Sequence, residues 1–155
     1  MKAVIQRVKK ASVTVDGTVC GEIADGFLVL LGVCPDDTEK EAQKLADKIA
    51  RLRVFCDENG KMNRSLLDFQ NEPKPHGVLV VSQFTLCANT KHGNRPDFFG
   101  AANPSIAEPL YEYFSDYLRK AHSLSVENGI FGADMSVALI NDGPVTILMD
   151  TDDWK

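Results

Sequence analysis

The sequence predicts an α+β fold, with antiparallel or mixed β-sheets in a barrel-like or sandwich arrangement and two main helices packed on them. Three observations carry this. Short apolar or alternating runs recur along the chain, two longer stretches have helical periodicity, and the two kinds of segment do not alternate as a doubly wound parallel fold requires. The 155 residues, 44% hydrophobic and 25% charged, suit one domain spanning residues 1–155, with no repeat, low-complexity run or dividing linker.

Met1 to Val8 alternates and carries charge too early for a signal peptide, so it reads as the first strand of a cytosolic protein. Ala11–Val15 and Thr18–Ile23 alternate about Asp16-Gly17, a dipeptide suited to the positive φ of a tight hairpin. Phe27–Val33 is almost wholly apolar and too short for a convincing helix, which predicts a central strand.

Thr38 and Glu41 have capping-box spacing and open the first helix, with Ala42, Leu45, Ala46, Ile49 and Leu52 as its apolar stripe. Val54-Phe55 resumes extended structure, and Asp57-Glu58-Asn59-Gly60 signals a turn. Lys61–Phe69 has no decisive pattern, and Asn71–Gly77, with two prolines, reads as a loop.

Val78-Leu79-Val80-Val81 lacks polar alternation, as expected of a strand covered on both faces in the middle of a sheet. It turns abruptly polar at Ser82, Gln83 and Thr85, where a rigid strand end would hold catalytic or recognition groups in place. An ordinary strand end, with hydroxyls bonded to the backbone, is the plain alternative. Lys91–Gly100 reads as a loop holding cations, an amide and two aromatics, a composition that suits ligand binding or simple packing.

Ser105 and Glu108 repeat the capping spacing before a second helix, with Ile106, Leu110, Phe114, Tyr117, Leu118 and Ala121 as its buried stripe. Leu124–Glu127 and Met135–Ile140 are strands, the latter with Met135, Val137 and Leu139 on one face. Asn141-Asp142-Gly143-Pro144 interrupts before a last strand, Val145–Met149. A Gly-Pro bond can be cis at small cost, and a plain turn is the simpler account of it.

Composition narrows the chemistry. A net charge of −5 argues against coating long nucleic acid through a general basic field, although Arg7, Lys9 and Lys10, and Lys91, His92 and Arg95, form local basic groups. Cys20, Cys34, Cys56 and Cys87 lack metal-ligand spacing and read as small buried hydrophobes in a reducing compartment. No apolar run approaches the roughly 20 residues of a membrane span. Ser82 has no nucleophile elbow, none of His76, His92 and His122 is marked as a base, and no phosphate loop, zinc pair or dinucleotide fingerprint occurs. Any hydrolysis must rest on positioning, backbone donors or the substrate's own groups.

Ser82-Gln83-Phe84-Thr85-Leu86 and Asn141-Asp142-Gly143-Pro144-Val145-Thr146 resemble the two signature motifs of the D-aminoacyl-tRNA deacylases. Ala3–Val8, Leu52–Phe55, Lys61–Asn63, Gly93–Pro96 and Phe131–Met135 resemble the same family, so the likeness runs from Met1 to about Met149. It implies a homodimeric editing hydrolase that cleaves the ester of D-aminoacyl-tRNA, and of glycyl-tRNA mischarged on tRNA-Ala, without metal or organic cofactor. By the same resemblance Gly143 and a cis Pro144 are a chirality filter reaching into the partner's pocket, braced by Arg7. Met135 contributes to substrate binding, and Lys91 and Arg95 to phosphate contacts. Ser82, Gln83, Phe84 and Thr85 form the pocket floor. Main-chain N–H groups near Phe84 and Thr85 meet the oxyanion, and the 2′-hydroxyl of the terminal ribose assists attack; Thr85 as nucleophile is the lesser alternative. The Asn71–Gly77 loop, His92 and Asp97 depart from the family pattern on the tRNA-facing rim. Rival readings are an editing deacylase with relaxed chirality, a tRNA-binding module without turnover, and an esterase using Cys87 or Ser82.

Overall fold

The computed structural model describes Met1–Lys155. Eight strands and two helices follow in chain order: β1 (Lys2–Val15), β2 (Thr18–Ile23), β3 (Gly26–Gly32), α1 (Glu39–Ala50), β4 (Phe55–Cys56), β5 (Met62–Arg64), β6 (Gly77–Ser82), α2 (Pro104–His122), β7 (Ser125–Asn128) and β8 (Ser136–Asp150). The main sheet is mixed. It runs β2-β1-β3-β6-β7 with β8 on the other edge of β1, and it curls until Gly21 of β2 approaches the Asn128 carbonyl of β7, nearly closing a barrel. β4 and β5 form a separate ribbon.

The non-alternating runs are strands with two buried faces. On β3 and β6, Phe27, Val29, Leu31, Val78 and Val80 join the core beneath the helices. Leu28, Leu79 and Val81 point the other way, into a second core with Val8, Ala11, Val13 and Ile23 inside the curl. β3 pairs parallel with β6, and β6 with β7, so each connection must cross over the sheet; α1 and α2 lie in these crossovers on the same side.

The hairpin forms as expected, with φ of 49° at Asp16 and 78° at Gly17. α1 begins with the reciprocal Thr38–Glu41 capping box, a device whose cap residue contributes about 1 kcal/mol. Its helical residues stop at Ala50, before Leu52. Asp47 then ties the two helices together, accepting from Tyr117 Oη at 3.2 Å and meeting His122 Nε2 at 2.6 Å.

Several expectations are corrected. α2 is capped by Asn103 with Pro104 in its first turn, because proline lacks the N–H that a helix start leaves unpaired; Ser105 and Glu108 form no box. Its buried face is Ala107, Leu110, Tyr111, Phe114, Ser115, Leu118 and His122, while Ile106 and Ala121 are exposed. β1 is one strand of 14 residues, and β8 is one of 15 in which Asn141–Pro144 is no interruption. Gln6 pairs with Thr146 and Val8 with Asn141, so Arg7 alone faces residues 142–145, which bulge from a ladder that continues on both sides. Cys87 is buried, whereas Cys20 and Cys34 are partly exposed and Cys56 is exposed.

Candidate active site

β6 ends at Ser82, and its side chains do not continue the strand. Gln83 N–H still donates to the Leu31 carbonyl at 2.8 Å, but Phe84–Cys87 coils into a single 3₁₀ turn. Gln83, Phe84 and Thr85 therefore sit on that turn, a correction to the reading that placed them on a rigid strand end. The turn is nevertheless held close to the sheet: a Cβ on Gly32 would lie 3.0 Å from Leu86 Cβ and 3.1 Å from the Gln83 carbonyl oxygen. A side chain at position 32 would push the turn away from the sheet.

The turn forms one wall of a cavity of about 590 Å³. Leu31, Val33 and Val81 line its base; the start of α2, Phe131–Ala133 and Met135 complete it. Phe84 and Phe98 meet edge to face at its mouth, with ring centres 5.1 Å apart and Phe84 59% exposed. The lining contains no carboxylate, imidazole, amine, guanidinium or thiol. Its only titratable side chain is Tyr111, whose hydroxyl donates to the Val80 carbonyl at 2.9 Å and whose pKa is pushed up by burial.

The polar groups that are present are few. Ser82 and Gln83 border the cavity, and Gln83 Nε2 donates to Thr85 Oγ1. The Phe84 and Thr85 N–H groups open the 3₁₀ turn, where a helix has no acceptor of its own to offer them. No histidine serves Thr85 or Ser82: His122 is bound to Asp47, His92 lies on the exposed loop, and His76 stacks on Phe69 with ring centres 3.6 Å apart. Cys87, only 5% exposed, does not line the cavity.

The second motif is elsewhere. Gly143 and Pro144 are exposed, joined by a cis peptide bond, and absent from the lining of this chain's cavity. Five residues of β8 lie between Gly143 and the lining residue Val137, a span of about 20 Å of extended chain. Arg7 is 8% exposed; its Nε donates to the Asp142 carbonyl at 2.9 Å and lies 3.5 Å from the Asp142 carboxylate, while Nη1 donates to the Val54 carbonyl. A buried guanidinium so engaged fixes where the bulge leaves the sheet. Lys91 and Arg95 are exposed on the loop before Phe98 and do not reach the cavity lining. The structure thus brings together Ser82, Gln83, Phe84 and Met135 in one place, and Arg7, Gly143 and Pro144 in another, with Thr85 exposed beside the first.

A model of the family described as D-Tyr-tRNA(Tyr) deacylase matches residues 4–150. The chain belongs to that family. A D-aminoacyl-tRNA deacylase of Roseiflexus castenholzii is 57% identical over 97% of this chain and 92% of its own length. One of Chloroflexus aurantiacus is 55% identical over 97% and 91%. Among solved structures, one titled c-Myc DNA Unwinding Element Binding Protein superposes with a TM-score of 0.88 at 46% identity, covering 97% of this chain and 98% of that one. A probable eukaryotic D-amino acid tRNA deacylase, at 16% identity, shares the fold with a TM-score of 0.80 over 96% and 97% of the two chains.

Within this deacylase fold, sequence reasoning overlooked Tyr111, Ala102 and Ala107 as cavity residues. Tyr111 follows Leu110 on α2, and a signal existed: Ala107, Leu110, Tyr111, Phe114 and Leu118 recur at three- and four-residue spacing along one face. No helix is long and apolar enough to cross a membrane.

Proposed function

We propose that the chain is a D-aminoacyl-tRNA deacylase that holds the terminal aminoacyl-adenosine in the cavity beside Gln83 and Phe84. The observation that carries this reading is a cavity lined by apolar groups and a few polar ones, without a protein base, in a chain of the deacylase family. Such a lining supports catalysis by position. The Phe84 and Thr85 N–H groups stabilise the developing oxyanion, a contribution of roughly 3 to 4 kcal/mol per donor in other hydrolases. The ribose 2′-hydroxyl helps activate water. Phe84 and Phe98 offer faces on which a base can stack. Lys91 and Arg95, outside the cavity, meet phosphates further down the acceptor end.

Chirality is then enforced by a second copy of the chain. The Gly143-Pro144 bulge lies outside its own cavity, braced by Arg7, and β8 is a long edge strand with Ile140 57% and Leu148 78% exposed. A homodimer through this face covers those side chains and carries each bulge into the other copy's cavity. There its backbone rejects an L side chain by steric overlap, and it spares glycine, which has none to reject.

The test is the hydrolysis of D-tyrosyl-tRNA, L-tyrosyl-tRNA and glycyl-tRNA against an enzyme-free control. The D and glycyl esters are expected to fall rapidly and the L ester to persist. Equal loss of the L ester overturns the filter; no loss of any ester leaves a tRNA-binding module. Gly143→Ala sharpens the result. At φ +137° its Cβ would lie 3.0 Å from Val145 N and 3.1 Å from Arg7 Nη2, so the bulge must shift, and turnover of the D ester should fall about tenfold or more.

A further inference from the structure

Cys34 and Cys87 are 53 residues apart in sequence, yet their sulfurs lie 3.7 Å apart. Neither borders the cavity, but each sits directly behind it: Cys34 follows Val33, and Cys87 closes the turn that begins with Phe84. The two thiols belong to differently anchored segments. Cys34 N–H donates to Asp37 Oδ2 at 2.6 Å, and the other oxygen of Asp37 receives the Met1 ammonium at 2.6 Å. Cys87 is wedged in the turn: a Cβ on Gly32 would lie 3.3 Å from its sulfur, and one on Gly100 would lie 3.0 Å from its carbonyl oxygen.

We propose that Cys34 and Cys87 are an oxidisable dithiol, and that their disulfide, formed by a peroxide, slows the enzyme by pulling the Phe84–Cys87 turn out of place. A disulfide needs sulfurs about 2.05 Å apart, so the pair must close by about 1.7 Å. Asp37 fastens the Cys34 main chain, so part of the closure must be met by Cys87, which ends the tightly seated turn carrying Phe84 and Thr85 and cannot move without disturbing it.

The chemistry is balanced. The Cys34 thiolate attacks one peroxide oxygen, the O–O bond breaks, and hydroxide leaves, giving a sulfenic acid on Cys34. Cys87 sulfur then attacks Cys34 sulfur, the S–O bond breaks, and the Cys87 proton leaves with the hydroxyl as water. Two thiols lose two electrons and one peroxide becomes two waters. The roles follow from the surroundings: the hydrogen bond from Cys87 holds the Cys34 thiol below the usual range, with the Met1 ammonium and Lys2 assisting, while that same bond and burial push Cys87 up. The exposed Cys56 has no thiol beside it and stops at the sulfenic stage or beyond.

The effect on rate rests on the activity proposed above; the cross-link does not. Full-length protein freed of reductant is treated with hydrogen peroxide, digested without reduction and mapped, in parallel with D-tyrosyl-tRNA hydrolysis. The expected result is a Cys34–Cys87 linked peptide that dithiothreitol removes, with a rate about tenfold lower that dithiothreitol restores. Cys34→Ser should keep the untreated rate and ignore peroxide, and Cys56→Ser should respond as the natural chain does. Absence of the linked peptide overturns the dithiol, whatever the rate does. A linked peptide with an unchanged rate overturns the control of the turn, and if no ester is cleaved even by reduced protein, the map alone still decides the cross-link.

Discussion

β6 and β8 are both rich in β-branched and apolar residues, yet they stand in opposite situations. β6 is covered on one side by the helices and on the other by the curl of the sheet, with Val78, Leu79 and Val80 at 0% exposure. β8 pairs with β1 alone and leaves its other edge open. One strand is satisfied within the chain; the other presents apolar surface and an edge of main-chain groups left to solvent or a neighbour. The same residue types therefore stand differently: in β6 they fill the core, and in β8 they leave an open face on which the proposed association rests. The cavity hangs on the first and the Gly143-Pro144 bulge on the second, so within one chain they stay apart, and the homodimer proposed above is what would bring them together.

Truncation in β6 should produce the largest effect. Leu79→Ala removes a fully buried side chain from the smaller core and is expected to cost about 2 to 5 kcal/mol, read as a lowered midpoint in denaturant. A change under about 0.5 kcal/mol would mean that the interior of the curl is loosely packed. The matching change on β8, Leu148→Lys, should shift the protomer's own stability by no more than about 0.5 kcal/mol, because the side chain is 78% exposed. It should move the protein toward monomer in sedimentation and reduce D-ester hydrolysis in step. If association is unaffected, the open edge is not the contact.

The smallest effect concerns the approach to β6. His76 is stacked on Phe69, with its Nδ1 buried and unpartnered, and burial lowers its pKa. The folded state then resists protonation more than the unfolded chain. Stability should be level above the unfolded value of about 6.5 and should fall as pH drops below it, since the unfolded state binds more protons there. Denaturation at pH 7.5 and 5.5 measures the slope, which His76→Phe should flatten. An unchanged slope would assign it to other groups.

Much of this was legible in the residues. Unbroken apolar runs at Phe27–Val33 and Val78–Val81 identify strands buried on both faces, and the Thr38–Glu41 spacing identifies the start of α1, because both depend on local rules. The family resemblance pointed to Ser82–Thr85, Met135, Arg7 and Gly143-Pro144, whose roles remain proposals; the structure gathers Ser82, Gln83, Phe84 and Met135 at the cavity and Arg7, Gly143 and Pro144 at the bulge. What stayed hidden depends on contacts distant in sequence. No local pattern tells that residues 142–145 bulge opposite Arg7 while β8 continues past them, since that is fixed by the register of β1. Nothing near Cys34 or Cys87 announces the other, because Gly32 and the 3₁₀ turn bring them together. Ser105 imitated a cap two residues after Asn103, and the apolar Ile106 and Ala121 imitated members of a buried face from which they are exposed.

The bulge opposite Arg7 also bears on how such a protein can change over generations. Four residues hang from a ladder that resumes in register at Gln6–Thr146 on one side and Val8–Asn141 on the other. A change of length at the exposed tip, Gly143-Pro144, leaves the flanking pairs in place so long as Val145 keeps its seat against the main core and Asp142 its bond to Arg7. Descendants of this chain can therefore alter the reach of the segment, and with it the filter proposed above, without rebuilding the scaffold that carries it.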